Sequence, residues 1–131
     1  MKVALDTNVL VRLLVADNRS QTNRAKTLVD ENSILIATSV ILEAEWVLRS
    51  AYKLKPEEIR QAFLCLFGLQ QVTLTHPERI HMALKGYKAG LDFADALHLA
   101  SSCDAQCFAT LDRKLVKGSK KVREAIDVIE P

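Results

Sequence analysis

Four short apolar stretches recur along the chain: "KVAL" (residues 2–5), "SILIAT" (33–38), "QVTLT" (71–75) and "QCFATLD" (106–112). Between them lie segments with apolar residues at helical spacing. Strands this short and apolar suit burial on both faces, and parallel strands need crossovers long enough for a helix. The alternation therefore predicts an α/β/α arrangement, three layers with a central parallel sheet of four to five strands. A fifth, edge strand is expected in "REAIDVIEP". With 131 residues and no linker, repeat or low-complexity stretch, one domain over 1–131 is expected.

Local signals place the helices. "DTN" starts one, with Val9, Leu10, Leu13 and Leu14 on a face, and "SQTNRAKTLVDE" carries Ala25, Leu28 and Val29 inward. Ser39 can cap "VILEAEWVLRSAY". Pro56 and Pro77 open helices, with acids complementing the dipole after Pro56. Gly90 breaks the helix begun at Pro77, and "DFADALHLASSCD" forms the next.

Hydrophobic residues at 49% supply a core, and a net charge of +2 does not mark the whole molecule as a polyanion binder. Basic residues do cluster in "DRKLVKGSKKVRE", which suits phosphates or a solvated helix end. The three cysteines, Cys65, Cys103 and Cys107, show no zinc spacing and read as reduced, mostly buried thiols of a cytosolic protein. The opening "MKVALDTNVLV" does not read as a signal peptide, and no membrane span is expected.

The acids are the chemistry-bearing residues. In an open parallel sheet the site lies off the C-terminal strand ends. Asp6 follows the first strand and Asp112 the fourth, so both belong on that edge. Each also suits a helix cap. On the helix after the second strand, Glu43 and Glu45 fall at opposite margins of the apolar arc, and periodicity does not choose between them. Asp92 and Asp95 suit a cap and a first-turn dipole partner, although a helical wheel sets Asp92 near the centre of the apolar arc. His98 reads as a structural histidine rather than a ligand. Several carboxylates in one pocket demand a cation or a retained proton. Hard oxygen donors without paired His or Cys suit Mg²⁺ or Mn²⁺, the ions of phosphoryl chemistry.

Taken in order, "LDTNVLVRLL", "TSVILEAEWVLR", "DFADALHLA" and "FATLDRKL" resemble the PIN domain, and more narrowly the VapC-type toxin ribonucleases of toxin–antitoxin pairs. The resemblance implies a PIN-like fold and a Mg²⁺- or Mn²⁺-dependent endoribonuclease that hydrolyses RNA phosphodiesters with a metal-activated water. It implies Asp6, Glu43, Asp95 and Asp112 as catalytic metal ligands. Glu43 is chosen because it precedes Trp46 by three residues, which leaves Glu45 as a margin residue. Thr7, Asn8, Asp92 and Thr110 are implied as supporting residues. Leu115 stands where many members carry phenylalanine, which touches packing rather than the metal.

Arg12, Arg49, Arg113 and Lys114 are candidates for guiding RNA or plain surface charges. The resemblance further implies a cytoplasmic homodimer with an antitoxin partner. Trp46, Tyr52, Phe63 and Phe67 suit its docking groove or a buried core. The alternative function is a catalytically silent RNA-binding or assembly module of the same fold.

Overall fold

The computed structural model describes all 131 residues. In chain order the elements are β1 (Lys2–Ala4), α1 (Thr7–Leu14), α2 (Arg19–Glu31), β2 (Ser33–Ile36), α3 (Thr38–Ser50), α4 (Pro56–Phe67) and β3 (Val72–Leu74). Then follow α5 (Pro77–Lys88), α6 (Phe93–Ala100), β4 (Cys107–Ala109), α7 (Arg113–Ser119) and β5 (Asp127–Ile129). Every strand pairing is parallel, as the alternation predicts for an α/β fold. The five strands hydrogen-bond as two ladders, β1-β2-β3 and β4-β5. No helix is long and apolar enough to cross a membrane. The chain divides into two compact units, Met1–His76 and Pro77–Pro131.

In the first unit β2 is central, with Ile34 opposite Val3 and Val72. Ile34 and Ile36 are fully buried, as are Leu10, Ile41, Leu48, Ile59 and Phe63 from the helices. Each such side chain contributes roughly 1.5–3 kcal/mol of apolar burial. α1 packs on α2 and α3, and α3 on α4. The buried face of α1 is Thr7, Leu10 and Val11, whereas Val9, Leu13 and Leu14 are only half-buried. The α3 helix begins at Thr38 behind Ala37, which offers no side-chain cap. Ser39 lies inside the helix, so it is not the cap. Instead the Thr38 N–H donates to Thr75 Oγ1 at 3.1 Å, so the sheet edge satisfies the helix start.

In the second unit α5 packs on α6. Gly86 makes that approach possible, because a Cβ there would lie 3.0 Å from Ala96 Cβ. Gly90 takes φ +106° between the two helices, the left-handed region that glycine enters without strain. Tyr87 and Phe93 meet edge-on at 5.2 Å. β4 and β5 pair in parallel around α7.

Two expectations fail here. β1, β4 and β5 are not buried on both faces; their residues are exposed or half-buried. Each of these strands has a hydrogen-bonded neighbour on one side only. The cysteines are all exposed, not buried. Cys65 lies on the outer side of α4, and Cys103 and Cys107 flank the turn into β4.

Candidate functional site

Because its three strands run parallel, the first unit gathers its strand C-termini on one edge. Asp6, Thr38, Thr75 and His76 all lie just beyond those ends. Asp6 is the N-cap of α1, accepting from the Thr7 N–H at 2.8 Å, and it is exposed. Thr7 is buried beneath it, while Asn8 is exposed and lines a groove of about 600 Å³ with residues of α1 and α2. Glu43 is exposed on α3, five residues past Thr38, or about 8 Å along the axis.

Glu45 is the correction on this helix. It is 2% exposed, not a margin residue. The buried arc runs through Ile41, Ala44, Glu45 and Leu48. Its carboxylate is held by Arg49 Nε at 2.9 Å, one turn on. The sequence set Glu43 and Glu45 at opposite margins of the apolar arc, and packing turns the Glu45 margin inward. Arg49 thus has an intramolecular acid. So does Arg12, which reaches Asp17 Oδ1 at 2.9 Å, Tyr52 Oη at 2.7 Å and Gln21 Oε1 at 2.6 Å. The Tyr52 hydrogen bond, with help from the Asp17 charge, holds the Arg12 guanidinium still more firmly protonated.

The edge also carries a polar group that sequence reasoning passed over. Thr38 Oγ1 lies 3.1 Å from Thr75 Oγ1 and 3.2 Å from His76 Nδ1. The available signal was position alone: "ATS" and "THP" follow strands directly. The aromatic set divides. Phe63 is fully buried and stacks on Phe67 at 5.4 Å, so it belongs to the core. Tyr52 is tied to Arg12 and Asp17, and Trp46 is 59% exposed.

In the second unit three carboxylates cap or open helices. Asp92 is the N-cap of α6 and accepts from the Asp95 N–H at 3.2 Å. It is exposed and outside the helix, so its wheel position in the apolar arc was misassigned. Asp112 is the N-cap of α7, accepting from the Lys114 and Leu115 N–H groups at 2.9 and 3.4 Å. Thr110 Oγ1 accepts from the Asp112 N–H at 3.0 Å and so fixes the turn bearing that acid. Leu115 is buried, consistent with a packing role.

Asp95 is half-buried in the first turn of α6. Burial raises its pKa above the usual carboxylate range, and the charges of Asp92 and Asp112 raise it further. His98, exposed, partly offsets them. Asp92 and Asp112 are thus near enough to crowd Asp95. Of the remaining cations, Arg113 meets Glu130 at 3.2 Å and Lys114 is exposed.

Within either unit, no three His, Cys, Asp or Glu side chains close up as a metal-binding group. The donor types nevertheless fit a hard divalent cation: they are carboxylates, and the crowding at Asp95 is the kind a cation relieves. The sequence model of the PIN domain matches residues 3–121, a span that runs through both units. No curated protein matches the chain.

Proposed function

The chain belongs to the PIN-domain family, whose members are generally nucleases, and on that premise we propose that it is a Mg²⁺- or Mn²⁺-dependent endoribonuclease. We assign it as the toxin of a type II toxin–antitoxin pair, a cytoplasmic homodimer inhibited by its antitoxin. The order of the four motifs, "LDTN", "ILEAEW", "DFADALHLA" and "FATLD", supports the narrower assignment. The observation that carries the nuclease reading is the PIN-domain match over residues 3–121, and the placement of Asp95, half-buried with Asp92 and Asp112 nearby, is in keeping with it.

Asp6, Glu43, Asp95 and Asp112 would hold the ion, in a single domain spanning the chain. When bound, the ion lowers the pKa of water and neutralises charge on the phosphate. The chain's own contribution is orientation. Thr7 N–H fixes Asp6, while Lys114 N–H and Thr110 Oγ1 fix Asp112 and its turn. Asp92, held by the Asp95 N–H, adds negative charge beside Asp95. Looped or single-stranded RNA is the expected substrate, since its phosphodiesters can enter a shaped pocket.

The test is cleavage of labelled RNA in Mn²⁺, with and without EDTA, by wild-type protein and Asp6→Asn. The expected result is cleavage lost to the chelator and to the substitution. RNA binding without turnover, unchanged in Asp6→Asn, would identify the silent binding module instead.

A further inference from the structure

Residues 113–123, "RKLVKGSKKVR", hold six cations and no acid. The two glutamates that follow are already engaged. Glu130 meets Arg113, and Glu124 meets Lys85 on α5 at 3.0 Å. Lys114, Lys117, Lys120, Lys121 and Arg123 are all exposed on α7 and the turn after it. Five like charges within ten residues repel one another in the free protein, and an anionic partner removes that cost.

The chemistry around the strip selects the partner. Its apolar residues are buried (Leu115) or half-buried (Val116, Val122), and the exposed Leu111 just before Asp112 is a single side chain, too small a patch to anchor a protein or a bilayer. Nor is there an exposed Phe, Tyr or Trp in 77–131, so bases have no ring to stack on. What remains is charge alone, which suits a phosphate backbone and reads no sequence. The strip also starts beside Asp112, whose cap bond comes from the Lys114 N–H. A strand held there is led to that acid.

We propose that residues 114–123 form a phosphate rail that holds single-stranded RNA outside the catalytic acids. The proposal rests on the nuclease reading for its substrate. The probe is a 5′-labelled oligouridylate, bound in EDTA so that no turnover occurs, at salt from roughly 50 to 200 mM. The variant is Lys117→Ala/Lys120→Ala/Lys121→Ala, with Lys114→Gln/Lys121→Gln as a milder second. Circular dichroism checks folding.

Removing three phosphate contacts should lower the log–log salt slope by about 2 and weaken binding about tenfold or more. In Mn²⁺ the loss should appear in KM rather than kcat. Wild-type affinity and slope in both variants overturn the rail. So does a loss of binding confined to poly-glutamate peptide or phosphatidylserine vesicles. If wild-type protein never cleaves but the variants still lose the salt-dependent binding, the rail stands and the nuclease reading falls. Cleavage by wild-type protein with unaltered binding by the variants gives the reverse.

Discussion

Arg12, Arg49 and Arg60, all in residues 1–76, each close on an acid of their own neighbourhood: Asp17, Glu45 and Glu57. In residues 114–123, five exposed cations lie in a run that contains no acid. The acids show a parallel contrast. Glu45 is buried against an arginine, whereas Asp95 is crowded by Asp92 and Asp112. Where charge is balanced inside the chain, it serves the fold. Where like charges accumulate, the fold bears a cost that a ligand of opposite sign removes. On the proposed reading, a metal ion would relieve the surplus at Asp95 and an RNA backbone the surplus along 114–123.

The largest effect that can break this contrast is at the acids. Asp112→Asn and Glu43→Gln should each lower RNA cleavage by about 10³-fold or more, as removal of one member of a catalytic set does. Stability should hold. Asparagine caps a helix as well as aspartate does, and Glu43 is exposed. Melting curves beside initial rates check this. Equal losses of stability and activity at Asp112 would make it a cap and nothing more.

Next comes the buried pair. Arg49→Ala leaves the Glu45 carboxylate buried with less compensation and should cost about 2 kcal/mol. Urea unfolding reads it. The salt slope of RNA binding should not move. Lys117→Ala should do the opposite, shifting the slope while changing stability by about 0.5 kcal/mol or less. An Arg49 variant that loses RNA affinity at full stability would return this residue to the RNA-guiding set.

How far the sequence foretold these features depended on range. Pro56, Pro77 and Gly90 were legible because proline and glycine act through their own backbone stereochemistry. The order of strands and helices was legible from hydrophobic period. Asp92 was legible as the cap of α6, but its wheel position was not, because a helical wheel assumes that the helix has already begun, while Asp92 stands one residue before it. Glu45 was misplaced because a wheel gives relative angles, and packing decides which margin turns inward. Ser39 lost the capping role to Thr75, 37 residues from Thr38, through a contact no local pattern contains. Exposure of β1 and β4 likewise follows from which strands pair, and "KVAL" read alone cannot tell an end strand from a central one. For the site, the four acids are proposed from motif order, and the hydroxyl–imidazole group at Thr38, Thr75 and His76 was signalled by no motif.

The smallest expected effect is the most direct measure of carboxylate crowding. With its folded pKa raised, Asp95 penalises the metal-free fold once pH climbs past the usual carboxylate range. Below about pH 3.9 the side chain is protonated whether folded or unfolded, and the penalty vanishes. Asp95→Asn should therefore melt higher than wild type near neutrality in EDTA and match it in acid. Water screens a half-buried group, so the gap should be only about 1 °C. Adding Mn²⁺ should reverse the order, stabilising wild type and leaving Asp95→Asn where it was. The outcome to look for against this is an Asp95→Asn protein that melts lower at neutral pH without metal and is indifferent to Mn²⁺. Asp95 would then be a first-turn partner of the α6 dipole, its charge favourable rather than crowded, and the contrast with Glu45 would disappear.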